Sequence, residues 1–186
     1  MNIIFTGTYI IWFLSEILLN RFLRSRASDK RDMDKNSLSI IWITIIVSIT
    51  AAIYISGICP LPIFSHYYYV YAGIVIIIAG ILLRFTAIIS LGKFFTVDVT
   101  IRQGHTLKKD GLYKYLRHPS YFASLLSFIG FGISLNNWLS LIIITISIII
   151  AFHIRVKVEE KALTEQFGEE YIAYKKTTSG FIPFVH

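Results

Sequence analysis

The sequence predicts an all-α integral membrane domain of five transmembrane helices, with its N-terminus outside and its C-terminus in the cytoplasm. Three observations carry that reading. Of 186 residues, 55% are hydrophobic and only 16% charged, with a mean hydropathy of +0.65, whereas a soluble domain carries about 25% charged residues to wet its surface. Apolar runs long enough to cross a bilayer recur along the chain. Seventeen of the 18 Lys and Arg residues fall between Arg21 and Lys35, between Lys93 and Arg117, or between Arg155 and Lys176, so that one side of the membrane receives nearly all the positive charge. Together these exclude a disordered chain, a disulfide scaffold and an ordinary soluble globule. The net charge of +7 points to anionic lipid headgroups rather than nucleic acid. The single Cys59 rules out an internal disulfide and belongs to no CxxC or other metal-ligand spacing.

The first span, residues 3–23, lacks the basic leader and small-residue cleavage site of a signal peptide and is expected to be retained. The second, 37–58, ends at Gly57 and the Pro60-Leu61-Pro62 turn. The third, 67–91, opens on Tyr67, Tyr68, Tyr69 and Tyr71, an aromatic cluster suited to the headgroup layer. A polar loop, 92–118, follows. Spans four (120–135) and five (138–153) flank Asn136-Asn137 and are short for a ~30 Å hydrocarbon core, which predicts a tight helical hairpin. The tail, 154–186, is expected to form a separate amphipathic helix on the cytoplasmic surface. Residues 1–186 then make one domain. Ala123, Ser127, Gly130 and Ser134 share one face of the fourth helix and predict close helix packing there.

Two charges lie inside spans. Glu16 and Arg84 each precede the cytoplasmic end of their helix by seven residues, so both are expected to face the bundle interior at equal depth. An ion pair between them is geometrically open, either as a tether between helices or as part of a substrate path.

Nucleotide folds are excluded. Gly130-Phe131-Gly132 sits inside an apolar helix with no preceding strand, and no P-loop, HExxH or GxSxG occurs. Chemistry must therefore come from the cytoplasmic loops and helix ends. One block is Gly111-x-Tyr113-x-x-x-Arg117-His118-Pro119-x-Tyr121, where Pro119 suits the first helical position and His118 becomes the cap residue. A helix N-terminus there attracts anions such as a ligand carboxylate. The other block runs from Arg155 through Glu159-Glu160 to Tyr171 and Tyr174. At 100° per residue, Val156, Leu163, Phe167, Tyr171 and Tyr174 fall on one stripe, and Glu160 lies in its middle while Glu159 flanks it. An acid inside an apolar stripe needs a partner, which singles out Glu160. Arg155 and Glu159, at i and i+4, are also placed to pair with each other.

Taken in order, these residues resemble the isoprenylcysteine carboxyl methyltransferase family and its membrane relatives, which include the phospholipid methyltransferases. The likeness runs from about Arg84 to Pro183, through Leu91-Gly92-Lys93-Phe94-Phe95-Thr96, Gly104-His105-Thr106-Leu107, the Gly111–Tyr121 block, Arg155…Glu159-Glu160, Phe167-Gly168-Glu169-Glu170-Tyr171 and Phe181-Ile182-Pro183. The family's usual Gly-Pro-Tyr is replaced by Gly111-Leu112-Tyr113. The chain is similar to the small, five-span prokaryotic form, for which the cytoplasmic membrane is the expected location.

The resemblance implies S-adenosylmethionine as methyl donor, held at the cytoplasmic ends of the last helices. It implies Tyr113, His118, Pro119, Tyr121, Glu159 and Glu160 as cofactor-binding residues, with Tyr171 and Tyr174 closing over the site. Arg155, Glu159 and Glu160 are implied as catalytic, and Arg84 and His105 as lining the path of a lipid-like substrate that arrives sideways from the bilayer. Asp98 and His105 are expected in a lid hinged at Gly92 and Gly104. The favoured reaction is methylation of a carboxylate on a prenylcysteine-like acceptor. Such a carboxylate is already ionised at neutral pH and needs no base. Methylation of a phospholipid or other amine would need one, for which His118, His105, Glu159 and Glu160 are available. A lipid-binding module without catalysis is the third reading.

Overall fold

A computed structural model describes residues 3–22, 36–66, 68–97, 104 and 106–184. The helices are α1 (Ile3–Phe22), α2 (Ser37–Ile58), α3 (Tyr69–Leu91), α4 (Pro119–Ser134), α5 (Trp138–Phe167) and α6 (Glu169–Thr177), with short 3-10 turns at Gly92–Phe94 and Gly111–Lys114. No strand occurs among the described residues beyond an isolated parallel bridge between Leu116 and Ser179. Among them, α2, α3 with its 3-10 extension to Phe94, and α5 are long and apolar enough to cross a membrane, and α4 is a shorter apolar helix. Apolar side chains such as Ile43, Ile46, Val75 and Ile146 stay exposed on these helices, as lipid-facing positions should.

The α3–α4 contact is the tightest in the molecule, and small residues make it so. A Cβ added at Gly80 would lie 2.7 Å from the Ala123 carbonyl oxygen, and one at Gly73 would lie 2.6 Å from that of Gly130. The expected small face of α4 thus meets a matching face on α3 that begins at Gly73. Backbones this close gain dispersion and packing contacts that lipid cannot replace. α2 lies along α5, where the Ser140 hydroxyl donates to the Ala52 carbonyl at 2.8 Å. Asn137 caps α5 by accepting from Ser140 N at 2.9 Å, and its amide donates to the Cys59 carbonyl at 2.6 Å. α1 closes one side through Trp12, 4% exposed and edge-on to Phe128 at 5.0 Å.

The fifth helix departs from the expectation. It does not stop near residue 153 but continues to Phe167, 30 residues in all, about 45 Å at 1.5 Å per residue. The polar segment after Phe152 therefore continues α5 out of the apolar layer instead of forming a separate surface helix. Gly168 ends it in a left-handed conformation, φ 54°, and the chain turns into α6. That rigid extension carries Arg155, Glu159 and Glu160 past the start of α4, where the site is built.

Candidate active site

The site begins where α4 begins. Pro119 occupies the first turn and His118 is the cap residue, as the sequence suggested. Just before them the chain is held by the C-terminal segment. Arg117 N donates to the Ser179 carbonyl at 2.9 Å, His118 N to that of Gly180 at 3.3 Å, and Ser179 N to that of Tyr115 at 3.1 Å. These bonds fix the backbone on the N-terminal side of His118, so its ring is set by structure on both flanks. The ring is 4% exposed. Its Nδ1 lies 3.6 Å from Glu159 Oε1 and its Nε2 3.5 Å from Glu160 Oε1, which are ion-pair distances rather than tight hydrogen bonds. Burial alone would push the imidazole down, but the two carboxylates outweigh it and lift its pKa from 6.5 to about 9. His118 is therefore a cation at neutral pH.

The two adjacent glutamates have different surroundings. Glu160 accepts from Arg117 Nε at 2.7 Å and from Lys175 Nζ at 2.6 Å. Arg117 also donates to the carbonyls of Lys175 and Thr178. Glu160 thus joins α5 to α6 and the C-terminal segment, and it is absent from the wall of the main cavity. The partners that the sequence reading required of Glu160 are Arg117 and Lys175, and its apolar stripe is directed at α6. Glu159, the flanking acid, lines the cavity instead.

Arg155 is 1% exposed, one of the most deeply buried side chains in the molecule. Its Nε donates to the Tyr121 hydroxyl at 3.2 Å, Nη1 to Ser37 Oγ at 2.5 Å and Nη2 to the Val97 carbonyl at 2.5 Å. The guanidinium ties α5 to α4, to the start of α2 and to the loop after α3. Ser37 and Val97 carried no signal in the sequence, because nothing local announces a partner 118 residues away.

One cavity collects these groups. Its polar part is lined by Tyr113, His118, Tyr121, Arg155, Glu159, Tyr171 and Tyr174, and Pro119 lies beside them. Its apolar part is lined by Trp12, Ile41, Trp42, Ile45, Ile49, Phe128 and Phe152. The empty space is about 1540 Å³, including the part open to solvent. The tyrosines are not equivalent. Tyr174 OH donates to the Tyr113 carbonyl at 2.5 Å, and Tyr113 OH to that of Ala87 at 3.3 Å, so these two brace the wall. Tyr171 is 0% exposed, and its hydroxyl has no hydrogen-bond partner among the described residues. A buried hydroxyl left in this state at a cavity wall is a position for a ligand polar atom. Glu16 and Arg84 line the same cavity and pair at 2.9 Å, at the equal depth expected. His105 and Asp98, expected in a lid, lie outside the described residues.

The polar end has the charges to hold a zwitterionic ligand. Two cations, Arg155 and His118, suit a carboxylate, Glu159 suits an ammonium, and Tyr171 offers a hydroxyl for a sugar or base.

Comparison with known proteins points to one family. The model of the Isoprenylcysteine carboxyl methyltransferase (ICMT) family matches residues 73–165, half of the chain. Protein-S-isoprenylcysteine O-methyltransferase B of Arabidopsis thaliana is 35% identical over 124 residues, 66% of this chain and 63% of that protein. The protein-S-isoprenylcysteine O-methyltransferase of Saccharomyces cerevisiae is 37% identical over 115 residues, 61% of this chain and 48% of that one. The chain thus spans less than two thirds of these relatives. In fold it resembles the eukaryotic intramembrane Ras methyltransferase ICMT, with a TM-score of 0.74 at 24% identity, covering 97% of this chain and 65% of that one. The family match takes in most of α3, all of α4 and α5 to just short of its end, a stretch that includes His118, Arg155, Glu159 and Glu160. The chain is an integral membrane member of the isoprenylcysteine carboxyl methyltransferase family.

Proposed function

We propose that this protein transfers a methyl group from S-adenosylmethionine to the carboxylate of a prenylcysteine-like, lipid-soluble acceptor at the cytoplasmic face of a single five-span domain. One observation carries the proposal: the cavity joins a charged end, built by His118, Arg155 and Glu159, to an apolar end built by α1, α2, α4 and α5. The distribution of basic residues supports the orientation, because the end of α3, the start of α4 and the extension of α5 all belong to the basic side.

S-adenosylmethionine supplies an electrophilic methyl on a sulfonium. The chain's own residues supply alignment. His118 and Arg155 would hold the donor carboxylate, Glu159 its ammonium, and Tyr171 a hydroxyl of its nucleoside. Tyr113 and Tyr174 brace that wall, and Pro119 and Tyr121 shape its floor. Glu160 would act through His118, keeping it protonated and in place. Arg155 also reaches the acceptor carboxylate and aligns it for in-line attack. Holding two reactants in line contributes up to roughly 7–11 kcal/mol in favourable systems. The apolar wall excludes water and strips the acceptor carboxylate, whose pKa of about 3.5 means that no base is needed.

The charge on His118 removes one of the bases that amine methylation would need. A histidine held protonated up to about pH 9 is a poor base at neutral pH for an amine that must lose a proton. The test is product chemistry. Membranes containing the protein, given methyl-labelled donor and a prenylcysteine analogue, should yield label that mild base releases as methanol. Label that resists base and appears on a phospholipid amine would replace the proposal with the amine reading. Donor binding without any transfer would favour a binding module.

A further inference from the structure

After α6 the chain turns back towards the bundle. The carbonyls of Ser179 and Gly180 hold the N–H groups of Arg117 and His118, and these bracing bonds use nothing beyond Gly180. Yet the next four residues, Phe181-Ile182-Pro183-Phe184, are all apolar. Phe181 is buried and stands edge-on to Phe152 of α5, with 6.3 Å between ring centroids. Ile182 packs on the same core. α5 starts at Trp138, half-exposed and of the type that sits at a membrane interface. Phe152 lies about 21 Å further along the axis at 1.5 Å per residue, short of the ~30 Å apolar thickness of a bilayer. Phe181 and Ile182 thus pack beside a stretch of α5 that is still at lipid depth.

Phe184 ends this run. It is the most exposed large apolar side chain among the described residues, at 94%. Its backbone has φ 65°, the left-handed region that bulky side chains avoid. The turn is nevertheless tied down: Phe184 N donates to Ser179 Oγ at 3.1 Å, and Ser179 N donates to the Tyr115 carbonyl. The Tyr115 ring is also exposed, and Lys114 Nζ lies 5.9 Å from its centroid. Two exposed aromatic rings and a lysine therefore project from two segments joined through Ser179. This composition matches a membrane interface, with a phenylalanine for the acyl boundary, a tyrosine for the headgroup belt and a cation for lipid phosphates.

We propose that residues 181–184 form a membrane foot, in which Phe184 enters the lipid beside α4 and α5 while Tyr115 and Lys114 sit at headgroup level. Moving the ring out of water offsets the cost of the left-handed turn. Because the same turn holds the backbone of Arg117 and His118, lipid that seats the foot also seats His118. The lipid contact stands without the proposed reaction; its coupling to donor binding rests on that reading.

The test uses the full chain in nanodiscs of mixed zwitterionic and anionic phospholipid. A nitroxide on Phe184→Cys, in a Cys59→Ser background, is read by power saturation against oxygen and a water-soluble nickel chelate. Oxygen should relax the label more strongly than the chelate does, and a label on Lys161→Cys, exposed on the extension of α5, should show the reverse. Stronger relaxation by the chelate at position 184 would overturn the lipid contact and leave the patch facing water. The coupling is read by calorimetry. Phe184→Asp should weaken S-adenosylmethionine binding about 2- to 10-fold, the worth of one hydrogen bond in the brace, while Phe184→Leu should keep wild-type affinity. Unchanged affinity in Phe184→Asp, or an equal loss in Phe184→Leu, would overturn the coupling. A wild type that binds no donor would overturn the proposed reaction and the coupling together, and the label at 184 would still decide the lipid contact.

Discussion

Arg155→Leu is expected to lower kcat/KM by about 10²- to 10³-fold, the cost of removing one preorganised donor from a reacting centre. The reason is the position of the guanidinium. It is 1% exposed and bonded to Tyr121, Ser37 and the Val97 carbonyl, so its place is fixed before any ligand arrives. Leucine fills much of the volume but removes the donor that reaches the Val97 carbonyl and the Ser37 hydroxyl, so some stability is lost as well. Arg155→Lys keeps the charge but lacks the planar fork whose three nitrogens reach Tyr121, Ser37 and Val97, so most of the catalytic loss should persist. Kinetics in nanodiscs together with melting temperature check this. Arg155→Leu with wild-type kcat/KM would remove Arg155 from the reaction.

The second large effect concerns pH. His118 titrates at about 9 in the folded protein and at 6.5 as a free side chain. A pKa raised on folding means that the folded state binds the proton more tightly. The stabilisation is complete below pH 6.5 and is lost as the pH rises through 9. At about 1.4 kcal/mol per pKa unit, the loss across that window is on the order of 3 kcal/mol. Thermal melts in detergent from pH 6 to 10 should show it in the wild type, and His118→Asn should flatten that slope. A wild-type profile that stays level between pH 6.5 and 9 would mean that Glu159 and Glu160 do not hold His118 charged.

Much of this architecture was legible in the sequence because lipid imposes simple rules. The second span was expected at 37–58 and is found as Ser37–Ile58; the third was expected at 67–91 and is found as Tyr69–Leu91. Hydropathy located these ends because apolar and helical stop together there. In α5 they do not. Hydropathy falls after Phe152, yet no Gly or Pro interrupts the helix until Gly168, so hydrogen bonding carries the helix 15 residues past Phe152, to Phe167. Hydropathy marked the edge of the apolar layer and not the end of the helix.

The site was legible as a set of residues but not as an arrangement. The Arg117-His118-Pro119 run and the Glu159-Glu160 pair were visible, and each contributes to one cluster. The choice between the two acids was not visible, because a single-helix projection shows which face is apolar but not which neighbour covers it. Arg117 and Lys175 cover the Glu160 side, and Glu159 is left with the cavity. Arg84 was noticed for its charge alone. Ser120 and Ser124, one turn apart on α4, were the missing signal that a polar group from another helix arrives at that depth.

In the proposed mechanism the methyl donor lies between His118, Arg155 and Glu159 and not on the Arg117–Glu160–Lys175 side of α5. Calorimetric titration of S-adenosylmethionine into Glu159→Gln and Glu160→Gln tests it most directly. Glu159→Gln should weaken donor binding by about 10- to 100-fold, the worth of a charged hydrogen bond, and should also lower the melting temperature, because Glu159 is one of the carboxylates that hold His118 charged. Glu160→Gln should lower the melting temperature and change donor affinity far less. Wild-type donor affinity in Glu159→Gln would contradict the account.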